Sequence, residues 1–158
     1  VSDDQFGDFI INFFNDRGID TTQIVRAKNG EKLGLTFTEI KSPTESSILM
    51  YRNMAADFVI TPEDVSEEYI AQSKILLVSG TALAASPSRE ACLMAINYAK
   101  KHGTKVILTS DAHINLKICD FSKSIELLNK IEMPKELIMN EPDKLIAHLK
   151  SKGRLQDL

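Results

Sequence analysis

A chain of 158 residues that is 43% hydrophobic is long enough to bury one core without disulfides or metals, so a single compact domain is the default. Lys plus Arg number 19 against 22 for Asp plus Glu, a formal net charge of -3 with no long block of like charge, which argues against a nucleic-acid partner. No apolar run approaches the roughly twenty residues of a membrane span, and the two cysteines, Cys92 and Cys119, form neither a CxxC pair nor a disulfide framework of the secreted type.

The expectation is a soluble, cytoplasmic protein with reduced thiols. No basic segment followed by an apolar core opens the chain, and Val1 leads straight into a helix cap, which suggests a start inside a larger protein.

Residues 4–16 place Phe6, Phe9, Ile10, Phe13 and Phe14 at helical spacing, with Asp3 or Asp4 suited to cap the start and Gly18 to end it. This predicts an amphipathic helix whose Phe stripe packs into a core rather than lining a ligand pocket. Residues 33–40 and 47–53 alternate as strands do, and the turn formers of Lys41-Ser42-Pro43-Thr44-Glu45-Ser46 between them predict an antiparallel pair. On the second strand Ile48, Met50 and Arg52 share one face and Leu49 and Tyr51 the other, so Arg52 ends an otherwise apolar face.

Residues 62–73 predict a short helix with Pro62 early and Val65, Tyr69 and Ile70 on one side. It leads into Lys74-Ile75-Leu76-Leu77-Val78-Ser79-Gly80, read as a buried strand. Ser86 and Pro87 then start a helix that carries Ala91, Met94, Ala95, Tyr98 and Ala99 inward until Gly103, and residues 105–109 form the next buried strand. Strand, helix and strand within about 35 residues predict a right-handed βαβ unit with parallel strands. The last third predicts a helix over 120–130 with Phe121, Ile125 and Leu128 inward, a short strand at 136–139, and a helix over 142–152 closed by Gly153.

Ligands on open α/β sheets bind at the carboxyl ends of parallel strands. Two such ends are legible, Ser79-Gly80-Thr81 and Thr109-Ser110-Asp111-Ala112-His113. The first either presents backbone N–H groups and a hydroxyl to a polar ligand or is a plain strand-to-loop turn. Asp111 and His113 are chemically suited to a divalent metal, but two donors do not complete a site, and the alternative is a solvated Asp beside a surface His. His102 at a helix end and His148 on the last helix read as structural. No P-loop, GxGxxG, GxSxG or HExxH occurs.

The stretches VSDDQFGDFIINFFNDRGIDT, GLTFTEIKSPTESSILMYRNMAAD and ILLVSGTALAASPSREA, in that order, resemble the PfkB (ribokinase-like) carbohydrate kinases. The resemblance is strongest to members that act on a keto-deoxy sugar acid such as 5-dehydro-2-deoxygluconate in inositol catabolism. It implies an α/β fold of parallel strands with flanking helices plus a small antiparallel lid over 34–53, an incomplete ribokinase-like fold across residues 1–108. It also implies ATP and Mg as cofactors, and a sugar held between lid and strand ends, where Tyr51 and Arg52, with Gly34, Ser79 and Gly80, line the substrate side. Arg suits a carboxylate because its planar fork donates two parallel hydrogen bonds. Exposed lid edges also suit a homodimer.

The sequence departs from that pattern in three places. The glycine- and asparagine-bearing sugar-binding segment expected before residue 1 has no counterpart, nor has the GAGD-type motif whose glycines cradle phosphates and whose Asp is the base. The expected D-x-N/D-Y-R is replaced by Thr109-Ser110-Asp111-Ala112-His113. From about Gly103, the run Val106-Ile107-Leu108-Thr109-Ser110-Asp111-Ala112-His113, DFSKSIELL and NEPDKLIAHLKSKGR resemble the carboxyl end of PHP-type metal phosphoesterases of the histidinol-phosphatase kind. There Asp111 and His113 would serve a metal centre, although the earlier HxH, Glu and His ligands have no counterpart here. The chain is therefore expected to divide into a kinase region, 1–108, and a tail, 109–158. Three readings follow: a sugar-kinase fragment that does not complete phosphoryl transfer alone, a phosphoesterase remnant using a divalent metal, or a non-catalytic module that pairs through its lid.

Overall fold

In the computed structural model, which describes residues 1–109 and 121–153, the first helix starts where Asp4 interrupts an extended backbone. Its Oδ1 accepts from the Phe6 and Gly7 N–H groups at 3.1 and 3.3 Å, and α1 runs over Gln5–Asn15. Ser2 donates to the same oxygen at 2.6 Å, and with that bond foremost the Asp4 carboxyl is pulled down to about 2. Gly7 is required here, because a Cβ would stand 1.9 Å from the Ser2 carbonyl oxygen.

The Phe stripe does not enter a core as expected. Phe6 is 55% and Phe9 62% exposed, and Gly7 is the only buried residue of α1. The rings stack on one another instead, Phe9 on Phe13 at 6.1 Å and Phe13 edge-on to Phe14 at 5.9 Å, with the Arg17 guanidinium 3.4 Å over Phe13. No described element lies across the stripe to cover it.

The antiparallel pair is β1, Leu35–Ser42, with β2, Glu45–Tyr51, in register from Leu35 opposite Tyr51 to Ser42 opposite Glu45. The expected six-residue connection shrinks to Pro43 and Thr44, after a register irregularity between Ile40 and Ser42. Proline presets the first turn position, and Lys41, Ser42, Glu45 and Ser46 remain in the strands because polar side chains suit a hairpin with both faces in solvent. A lone parallel bridge from Lys32 to Ala55 ties the two ends of the hairpin together at its base.

The helix expected over 62–73 is two pieces. Thr61 and Asp64 form a reciprocal cap around a 3-10 turn at Pro62–Asp64, Val65 is extended, and Ser66 caps a fresh start for α2, Glu67–Gln72. Two N-caps in succession break what periodicity alone reads as continuous.

Next, β3, Ile75–Val78, pairs parallel with β4, Lys105–Leu108, and α3, Ser88–His102, links them. Gly103 at φ 73 ends α3 in the left-handed region, its N–H on the Ala99 carbonyl. Ile96, Ala99, Val106 and Leu108 form the centre of the core with Val78 and Ile70. The strand β3 was expected to be buried, but Leu77 is 62% exposed while Val78 is buried, so helices cover one face of the pair and not the other.

After residue 121, α4, Ser122–Lys130, adds Leu128 to that core, with Met133 following it. The final helix, α5, Pro142–Ser151, buries no residue completely. The expected strand at 136–139 is absent: Lys135–Leu137 is a 3-10 turn, and one bridge joins Ile138 to Val106. Strand-like pairing continues through a side chain. Met139 N–H donates to the Val106 carbonyl at 2.9 Å, the Leu108 N–H donates to Asn140 Oδ1 at 3.0 Å, and Asn140 Nδ2 donates to the Leu108 carbonyl at 2.7 Å.

Asn140→Ala strands both backbone groups of a buried residue and should lower stability by about 1–3 kcal/mol. Urea unfolding measures this. Asn140→Asp, which keeps the acceptor and loses the donor, should fall between the two, and an unchanged midpoint in both variants would show that the ladder does not need the amide.

Candidate functional site

Alternation along β2 aims Met50 and Arg52 to one side, and the structure builds a cavity there. Leu33, Gly34, Leu35, Thr36, Met50, Arg52, Asp57 and Thr81 line about 390 Å³ between the hairpin and the carboxyl end of β3. Thr36 stands opposite Met50 in the ladder. Tyr51 belongs to the other face, its ring edge-on to Phe37 at 5.8 Å, and does not line this cavity.

The Arg52 head is held from two sides. Met54, at φ 51, reverses the chain after β2, and the 3-10 turn Ala56–Phe58 returns beside the guanidinium. Nε donates to Asp57 Oδ2 at 3.1 Å, Nη2 donates to the same oxygen, and the Phe58 ring centroid is 4.3 Å from Cζ. Both partners are partly open to water, so the pair contributes no more than about 1 kcal/mol to stability. Its effect is positional. Of the five guanidinium donors, Asp57 takes two, and the remainder are available to a second anion.

Gly34 lies against the stem of Arg52, with room for a methyl but not for a branched side chain. A Cβ there would meet Arg52 Cγ at 3.4 Å and Ala55 Cβ at 3.6 Å. The Ser79-Gly80 turn reaches the cavity through Thr81. Ser79 Oγ accepts from the Thr81 N–H at 3.3 Å and lies 2.6 Å from Thr81 Oγ1, and the Gly80 N–H donates to Thr109 Oγ1 at 3.4 Å. Ser79 and Gly80 are thus engaged inside the turn and across to the end of β4.

Gly34, Arg52 and Thr81 are therefore brought together, while Tyr51 faces away and Asp111 and His113 lie outside the described residues. Among the described residues no group of three or more His, Cys, Asp or Glu is placed to hold a metal. The cavity offers one carboxylate, Asp57, already bonded to Arg52, which does not fit a magnesium ion needing several oxygen ligands. Asp57 and Phe58 escape a reading by strand alternation because they lie beyond β2. The available signal was an acid and an aromatic ring a few residues past a lone Arg, across a segment with no regular period.

Residues 1–143 match the model of the pfkB family of carbohydrate kinases. The 5-dehydro-2-deoxygluconokinases of Clostridium tetani and Bacillus subtilis are 60% and 57% identical over 111 residues, 70% of this chain but 33% and 34% of theirs. The chain thus spans about a third of the length of these curated relatives. Among solved structures, an uncharacterized sugar kinase from Pyrococcus horikoshii in complex with ATP is 22% identical, with a TM-score of 0.63 over 82% of this chain and 42% of that one. A fructokinase from Xylella fastidiosa is 20% identical, with a TM-score of 0.66 over 99% of this chain and 53% of that one. At such identities these two show a shared fold.

Because an Ala methyl at position 34 meets only ordinary contacts, Gly34→Ala should leave stability within about 0.5 kcal/mol. Gly34→Val adds branches against the Arg52 stem and should open the Arg52–Asp57 pair, read as faster solvent exchange of the Arg52 Nε–H in an NMR spectrum. An Arg52 signal equally protected in the Val variant would refute this account of Gly34.

Proposed function

Since the chain belongs to the pfkB family of carbohydrate kinases, we propose that it is the lid-bearing part of an enzyme that transfers the γ-phosphate of ATP to a keto-deoxy sugar acid such as 5-dehydro-2-deoxygluconate. The observation that carries this reading is Arg52, set by Asp57 and Phe58 to face the cavity between lid and strand end with donors to spare. Arg52 takes the carboxylate of the sugar acid, and Thr81 offers a hydroxyl beside it. The names of the relatives supply the sugar acid, and a structural neighbour that holds ATP supports the phosphoryl donor.

Phosphoryl transfer needs positioning, neutralisation of phosphate charge and one carboxylate base. The lid and Arg52 contribute the first of these. ATP brings the phosphoryl group and its metal ion the counter-charge, and the described residues assign neither a seat. No GAGD-type segment occurs in these 158 residues, so the base comes from elsewhere and this chain by itself turns nothing over.

The lid also carries the dimer reading. Phe37, Leu49 and Tyr51 are exposed on the face away from the cavity, and the lid of a second copy covers them.

Calorimetric titration with 5-dehydro-2-deoxygluconate should show weak binding that Arg52→Met reduces about tenfold or more, as loss of charge-assisted hydrogen bonds requires. Equal affinity in the variant would remove Arg52 from the site, and ADP release at about one per second with MgATP present would overturn the missing-base argument. Sedimentation equilibrium should give a mass that rises with concentration and becomes monomeric in Leu49→Lys. A concentration-independent monomer mass for the parent chain would dispose of the lid dimer.

A further inference from the structure

A second cavity of about 390 Å³ lies at the opposite, amino edge of the parallel strands, lined by Lys74, Lys105, Lys152, His102, His148 and Thr104 among others. Lys74 precedes β3, Lys105 opens β4, His102 closes α3, and Lys152 follows α5. Four residues of strand, about 13 Å at 3.3 Å each, separate this edge from the Ser79-Gly80 end.

No acidic residue lines the cavity. Among the described residues, none forms a hydrogen bond or ion pair with the Nζ of Lys74, Lys105 or Lys152. Glu67, bonded to His102, already accepts from Lys101 and His102 on one oxygen, each at 2.7 Å.

Capping of helix ends does not account for these lysines. Elsewhere in the chain, lysines do serve loose carbonyls: Lys100 donates to the Ile131 carbonyl at 2.9 Å and Lys144 to that of Lys135 at 2.8 Å. At the amino edge hydroxyls have that role. Ser73 Oγ donates to the Tyr69 carbonyl at 2.8 Å, Thr104 Oγ1 to that of Ile70 at 2.9 Å, and Ser151 Oγ to that of His148 at 2.7 Å. Three cations are left facing one concavity, in a chain whose net charge is -3. Like charges on one wall repel, and a bound anion relieves that repulsion.

We propose that this cavity binds a compact, multiply charged phosphate anion, either inorganic pyrophosphate or the phosphate chain of a nucleotide, at a site separate from the Arg52 cavity. The hydroxyls are already donating, so recognition is by the charge of flexible ammonium groups, the manner in which Lys binds phosphate. The rings of His102 and His148 line the same cavity. The volume lies within the range of small-molecule sites, about 300 Å³ and upward. This inference does not depend on the sugar-kinase reading.

The chain has three His, so its imidazole NMR signals report on the site directly. Titration of the full chain with inorganic pyrophosphate should shift the His102 and His148 signals together and saturably, with affinity falling as salt is raised. The double variant Lys74→Gln/Lys105→Gln should lose affinity by about tenfold or more, whereas Lys74→Arg/Lys105→Arg should bind as the parent does, which separates lost charge from lost fold. ATP should compete with pyrophosphate and adenosine should not. The proposal is overturned by the absence of any shift at millimolar pyrophosphate, by undiminished affinity in the Gln double variant, or by adenosine binding as well as ATP.

Discussion

The parallel ladder between β3 and β4 is the contact on which the remaining geometry depends. Its register, Ile75 opposite Lys105 to Val78 opposite Leu108, fixes what stands at each end. At the carboxyl end it sets Thr81 beside the lid and brings Thr109 to the Gly80 N–H. At the amino end it brings Lys74, one residue before β3, and Lys105, the first residue of β4, to the wall of one cavity. A slip of one residue would exchange the faces of every side chain on the moved strand, and Val106 and Leu108 would leave the core. Burial of Ile96, Ala99, Val106 and Leu108 on one face therefore sets the register and, through it, both cavities.

The lid is a different kind of object. Apolar side chains on both of its faces are exposed, Ile48 and Met50 on one and Leu49 and Tyr51 on the other, and an isolated two-stranded hairpin is marginal in water. Its position comes from its base, where Lys32 bridges to Ala55 and the Ala56 N–H donates to the Lys32 carbonyl at 2.8 Å. The clasp of Arg52 by Asp57 belongs to the same base. The residue that lines the cavity and the residue that steadies the base of the hairpin are thus one.

Much of this was legible in the sequence where one residue decides a local outcome. Asp4 caps α1, Gly103 ends α3, and strand, helix, strand reads as a parallel unit because the turn residues and the apolar periods agree. The face of Arg52 followed from alternation alone. Polarity misplaced the lid turn, because Lys41, Ser42, Glu45 and Ser46 sit in strands that have no buried face to reveal them. Ser66 broke a helix that Val65, Tyr69 and Ile70 made look continuous. The Phe stripe of α1 was read as core because an apolar pattern states a need for cover without saying what supplies it. Asp57 and Asn140 act across gaps in the chain that have no period, so alternation and helical spacing do not reveal their pairings, and only the acid and ring past the lone Arg52 hint at the first.

Asn140 has a further consequence. Its side-chain amide occupies the outer edge of β4 as a strand residue would, yet it is a single group with no backbone of its own to continue the ladder. Pairing on that side therefore runs from the backbone contacts of Ile138 and Met139 with Val106 to this amide and ends there. The described strand β3 has a neighbour on one side only, so growth of this sheet is directional. A strand that extends the fold, or an intruding segment from another molecule, meets backbone groups already engaged along β4 and, among the described residues, finds its template beside β3.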